Sequence, residues 1–130
     1  MTPELAALSA TALIHFATIF TAQRFLTRDV GNAGNWGTRE GLEDDLSPIT
    51  LRLRRATANF TENVGPFIIA VLVVVLAGKT STATATLAWV FVAARALYVP
   101  AYALCWVPWR TVIWAIGALA TVALLVLGLI

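Results

Sequence analysis

Four stretches of apolar residues follow one another along the chain, and each is long enough to cross a bilayer as a helix. About 20 consecutive apolar residues are needed to span the hydrocarbon core. The stretches are Leu5–Gln23, Ala56–Gly78, Ala83–Trp106 and Thr111–Ile130. The pattern predicts an all-α fold, an integral membrane four-helix bundle that forms a single domain over residues 1–130.

Capping signals extend these stretches into predicted helices. Pro3 suits the first turn of the first helix, and Ser47 followed by Pro48 is typical of the N-terminus of the second. Residues 26–46 between them are rich in glycine and acidic side chains, which predicts the one substantial loop. The predicted helices cover residues 4–25, 48–77, 84–106 and 111–130.

Charged and amide side chains lie on one face of the second helix, where a bilayer disfavours them. An ionised side chain near the bilayer centre costs roughly 2.5–3.5 kcal/mol, so such residues usually face the interior of a bundle and serve function. At 100° per residue these side chains form a single stripe. The stripe consists of Arg52, Arg55, Asn59, Glu62 and Pro66.

A second polar face lies on the third helix, where Arg95, Tyr98 and Tyr102 have helical spacing, with Arg110 just beyond. One interpretation is purely structural: salt bridges such as Glu62 with Arg95 would fix the register of the bundle. The arginines outnumber the carboxylate, however, and this leaves positive charge uncompensated in a medium of low dielectric. An anionic ligand would resolve the imbalance.

The chemistry of the two faces limits what that ligand can be. Arginine binds carboxylates through paired hydrogen bonds, and Glu62 could accept an ammonium group. Glutathione offers carboxylates, an amine and a thiol, and a neighbouring arginine would make that thiol nucleophilic by stabilising the thiolate. Lipid headgroups and other anions satisfy the same balance of charge.

The paired motifs resemble the MAPEG family, the membrane-associated proteins in eicosanoid and glutathione metabolism. The resemblance covers the chain from about Arg52 to Trp114, and the short spacing between the two tyrosines is similar to that of bacterial members. The matching residues are Arg55, Asn59, Glu62, Asn63 and Pro66 on the second helix and Arg95, Tyr98 and Tyr102 on the third.

The resemblance implies a MAPEG-like homotrimer that binds glutathione as a cosubstrate between neighbouring subunits, at the cytoplasmic leaflet. Tyr102 and Arg110 are the predicted catalytic residues, since they would stabilise the thiolate. The predicted glutathione-binding residues are Arg52, Arg55, Asn59, Glu62, Arg95 and Tyr98.

The predicted function is that of a glutathione-dependent transferase or peroxidase acting on lipophilic electrophiles. Two alternatives stay open: a non-catalytic MAPEG-type protein that binds lipid, and a small multidrug exporter. Such exporters usually carry a coupling acid in the first helix, and here Glu4 stands only at its edge.

Composition and the distribution of charge predict where the protein lies and how it is oriented in the membrane. Of the residues, 59% are hydrophobic and 12% charged, with a net charge of +2, and no basic run suggests nucleic acid. The connections after the first and third helices hold most of the arginines, whereas the opposite side has only Lys79. The positive-inside rule therefore predicts that the long loop is cytoplasmic and that both termini are outside. Together with the resemblance to bacterial members, this implies a multi-pass protein of a bacterial inner membrane.

Two single residues complete the prediction. His15 lies in the middle of the first helix without a second metal-type residue beside it, so a hydrogen-bonded packing histidine is expected and no metal site. Cys105 is the only cysteine, which excludes an internal disulfide bond.

Overall fold

The computed structural model describes residues 1–130 and contains four long helices joined by short connections. All four are long and apolar enough to cross a membrane, and no strand is present. The predicted fold class, an all-α membrane bundle, is confirmed. The helices are α1 (Pro3–Trp36), α2 (Pro48–Leu76), α3 (Thr82–Ala103) and α4 (Trp109–Leu129), with a single 3₁₀ turn at Leu42–Asp45.

The first helix is longer than the sequence predicts, because it continues from residue 25 to Trp36. Its direction breaks at Gly31, which has a φ of +71°, a value that glycine adopts readily. Asn35 braces the segment by donating a hydrogen bond to the hydroxyl of Thr27 at 2.8 Å. The predicted loop over residues 26–36 is therefore wrong, since loss of apolar character ends a membrane span but need not end a helix.

The ends of α3 also differ from the predicted bounds, and local hydrogen bonds explain both. Ser81 caps the N-terminus: its hydroxyl accepts from the backbone N–H of Thr84, whose own hydroxyl accepts from the N–H of Ser81. This reciprocal cap starts the helix at Thr82, two residues earlier than predicted. At the other end the helix stops at Ala103, before Cys105 adopts a φ of +58°.

The apolar core lies in the half of the bundle where the chain termini are. Phe67 of α2 and Phe91 of α3 stack with their ring centroids 3.9 Å apart, and both are buried. Leu124 of α4 and Ala7 of α1 belong to the same cluster, so all four helices contribute. The core thus fixes the bundle at one end and leaves the other end to the polar side chains.

Two carboxylates of α1 attach it to the N-termini of other helices. At one end Glu4 accepts a hydrogen bond from the hydroxyl of Thr84 at 2.6 Å. At the other end Asp29 accepts from the backbone N–H of Ser47 at 2.9 Å and from the hydroxyls of Ser47 and Thr50. Asp29 lies beyond the apolar stretch, and these donors, with Arg28 adding least, hold the pKa of its carboxyl well below the ordinary value.

Candidate functional site

A cavity of about 220 Å³ opens between α2, α3 and α4 at the end of the bundle away from the termini. Ligand pockets usually have volumes of about 300–1,000 Å³, so this cavity is smaller than a usual ligand pocket. The lining residues include four that the sequence predicts as site residues. They are Asn59, Tyr98, Tyr102, Arg110, Thr111 and Trp114.

Arg110 and the two tyrosines form the wall of this cavity. The guanidinium carbon of Arg110 lies 4.8 Å from the ring centroid of Tyr102, a cation–π contact that holds the arginine in place. The rings of Tyr98 and Tyr102 are 5.7 Å apart and tilted by 59°. Arg110 forms no ion pair, because the single salt bridge of the structure joins Arg28 and Asp29. A positive charge and two phenol groups therefore face one space, which is an arrangement suited to an anion.

Arg95 is fully buried and does not line the cavity. Its Nη1 donates to the side-chain oxygen of Asn59 at 3.2 Å, and its Nη2 donates to the backbone carbonyl of Trp114 at 3.4 Å. Its guanidinium also lies against the ring of Tyr98, with 5.2 Å from the carbon to the ring centroid. In the single protomer, Arg95 thus orients Asn59 and Tyr98 from behind.

Gly117 of α4 makes room for this arginine, and the sequence interpretation missed it. A β-carbon at this position would lie 2.9 Å from Nη2 of Arg95 and 3.3 Å from the β-carbon of Ala94. Any larger residue would therefore push the guanidinium away from Asn59. The only signal in the sequence is a glycine in a uniformly apolar helix, and glycine is common in membrane helices because it lets neighbouring backbones approach closely.

Arg55 and Glu62 lie on the outer surface of α2, outside the cavity. At 100° per residue, both are turned to the same side of Asn59, by about 40° and 60°. Glu62 has no ion-pair partner, so the salt bridge with Arg95 that a purely structural interpretation required is not present. The predicted stripe therefore divides into an inner part at Asn59 and an outer part at Arg55 and Glu62.

Arg52 is placed at a third location. Its Nη1 donates to the sulfur of Cys105 at 3.0 Å, and this contact joins α2 to the turn after α3. Its Nε is buried without a partner. The structure thus does not bring Arg52 to the cavity within one protomer.

His15 has the local environment expected of a packing histidine. Its Nε2 lies 3.0 Å from the hydroxyl of Thr61, and its ring stacks on Phe60 with 4.7 Å between centroids. The contact joins α1 to α2, and no group of potential metal ligands surrounds it.

The fold and the cavity together define a membrane protein of four helices with a cavity lined by arginine and tyrosine at one end. The family model of the MAPEG family matches residues 4–130, and the chain therefore belongs to this family. The predicted resemblance is confirmed at this level, and the chain is a multi-pass membrane protein of the family of glutathione and eicosanoid metabolism. No curated protein and no solved structure matches the chain.

Proposed function

We propose that the protein is a glutathione-dependent transferase or peroxidase that acts on lipophilic electrophiles dissolved in the membrane. The observation that supports this most directly is the guanidinium of Arg110, which faces a cavity beside Tyr102 without a carboxylate partner. A positive charge fixed beside the position of a thiolate stabilises that anion in the reactive state. Enzymes activate thiols in this way.

The residues around this charge suit the other parts of a tripeptide. Asn59 and Tyr98 line the cavity with groups that can hydrogen-bond a peptide backbone, while Arg95 holds Asn59 in place. Arg55 is exposed on α2, so its charge is free to bind a carboxylate, and Glu62, about two turns further along the helix, offers an acceptor for an amine. Arg55 and Glu62 can therefore recognise one carboxylate and the amine of glutathione.

A homotrimer is part of the proposal, because one protomer carries an incomplete site. The cavity is small, and Arg55 and Glu62 lie on a surface that has no covering element in the protomer. A neighbouring subunit packed on this face of α2 would enclose both residues and enlarge the cavity. The proposal includes a bacterial inner membrane, which the resemblance to bacterial members supports. The distribution of arginines supports a position of the cavity at the cytoplasmic leaflet.

Binding of glutathione to the purified protein, followed by thiolate absorbance against pH, tests the function. The free thiol has a pKa of about 8.5, and we expect the thiolate to form well below this value in the complex. Arg55→Ala should lower the affinity about tenfold or more, since a charge-assisted contact contributes roughly 1.5–3 kcal/mol. Binding without a lowered thiol pKa would instead support a non-catalytic protein that binds lipid. An absence of binding would refute the proposal that glutathione is a ligand of this protein.

A further inference from the structure

A second polar cavity, of about 390 Å³, lies at the opposite end of the bundle, where α1 and α3 begin. Its wall carries several hydroxyl groups and one carboxylate, and no arginine or lysine lines it. The lining residues are Thr2, Pro3, Glu4, Thr80, Ser81, Thr82 and Ala85.

Glu4 is the unusual member of this wall, because its side chain is 1% exposed and only one of its oxygens has a partner. Its Oε1 accepts from the hydroxyl of Thr84. That hydroxyl also accepts from the backbone N–H of Ser81 at 2.7 Å. Its one hydrogen can go to Glu4 or to the carbonyl oxygen of Ser81 at 2.9 Å, and the shorter contact with the charged carboxylate is the stronger one. Oε2 is buried with no donor, and no basic group forms an ion pair with the carboxylate.

A buried carboxylate oxygen without a partner is costly, and a cation beside it removes that cost. The hydroxyls around the cavity are oxygen ligands of the kind that hard cations prefer. A single carboxylate balances one positive charge, whereas sites for divalent ions usually contain more than one. We infer that this cavity binds a small monovalent cation at Glu4, either an alkali metal ion or the primary ammonium group of a lipid headgroup.

Thermal unfolding of the complete protein in a neutral detergent tests this inference, with the tryptophan fluorescence as the signal. Sodium, potassium or ethylammonium chloride should raise the midpoint by several degrees over N-methylglucamine chloride at equal ionic strength, because a ligand that binds only the folded state stabilises it. Glu4→Gln keeps the shape and the acceptor for Thr84 but removes the charge, so the rise should disappear. Glu40→Gln, in the exposed loop, is the matched control and should keep it.

Two further measurements cover the other outcomes. If Glu4→Gln does not fold, Ala85→Leu fills the cavity without changing the carboxylate and should also abolish the rise. A rise that is absent with all the salts, but present in phosphatidylcholine vesicles once phosphatidylethanolamine is added and lost again in Glu4→Gln, would identify the lipid ammonium as the ligand. Equal midpoints under all conditions, or an equal rise in wild type and Glu4→Gln, would overturn the inference and leave Glu4 as a link between helices.

Discussion

At the scale of single residues, the proposed activation of the thiol by Arg110 or Tyr102 can be tested. Arg110 lines the cavity and carries a guanidinium group, so it is the better electrostatic partner for a thiolate. Arg110→Ala should lower turnover by about tenfold or more while glutathione binding survives, because the contact matters most in the reactive state. Steady-state kinetics and binding measured on the same preparations would show this separation.

A second variant, Tyr102→Phe, decides whether Arg110 or Tyr102 activates the thiol. Tyr102→Phe keeps the ring on which Arg110 rests and removes only the hydroxyl. If this change abolished turnover while Arg110→Ala left it intact, the tyrosine would be the activating residue. If neither change affected activity, the thiol would lie elsewhere.

We expect Gly117 to be a positioning residue that acts through Arg95, and Gly128 in the same helix provides a control. In Gly117→Ala the added methyl group would displace Arg95, which is the far end of a flexible side chain, and Asn59 would lose its hydrogen bond. Affinity for glutathione should fall severalfold, whereas thermal stability should fall by about 1–3 kcal/mol at most. Gly128→Ala overpacks against Val73 and Val74 at the other end of α4, and it should lower stability without changing affinity. Equal loss of affinity in both variants would show a general effect of packing.

The sequence predicted the polar residues of the candidate site, but not which of them line the cavity, which are buried and which face outward. Helical periodicity placed Arg55, Asn59 and Glu62 on one face, and α2 is helical through all three. It could not show that Asn59 faces α3 while its two neighbours face outward, because that depends on the rotation of α2 within the bundle. It also placed Arg95 among the ligand contacts, whereas in the protomer Arg95 is enclosed behind Asn59.

At the scale of the elements, the long first helix is held at its far end by Asp29. The side chain is 9% exposed, and it accepts hydrogen bonds from Ser47 and Thr50 at the start of α2. Apolar periodicity found the membrane span of α1 but not this extension. The extension depends on hydrogen bonds between distant residues, such as Asp29 with Thr50, which no local pattern in the sequence reveals.

Asp29→Asn should therefore destabilise the link between α1 and α2. Because the folded protein holds the pKa of Asp29 below the unfolded value of about 3.9, its stabilisation is complete above that value and is lost as the pH falls through the lower, folded one. We expect the unfolding midpoint of Asp29→Asn to be a few degrees lower than that of wild type at pH 7, and the difference to shrink at low pH. Asp45→Asn, in the exposed 3₁₀ turn, is the control, and a constant difference across pH would contradict the ionic role.

At the scale of the whole molecule, two exposed faces of the bundle differ in what they can contact. The outer face of α4 carries Leu119, Val122 and Val126, which suit lipid. The outer face of α2 carries Glu62 near the middle of the helix and Ala58 one turn before it, both exposed. An ionised side chain is costly in lipid, and small residues allow helices to approach closely. The face of α2 is therefore the surface on which a neighbouring subunit should pack.

A photoreactive amino acid at Ala58 tests this assembly in native membranes, since it reacts with whatever covers the face of α2. In a closed trimer each copy contacts the next, so irradiation should give crosslinked dimers and trimers and nothing larger. The same group at Leu119 on α4, which is 68% exposed, should give almost none, because lipid covers that face. Products that stop at dimers would refute the trimer, and equal crosslinking from both positions would show that α2 is no special interface. If trimers form but glutathione does not bind, the interface stands and the role proposed for Arg55 and Glu62 is wrong.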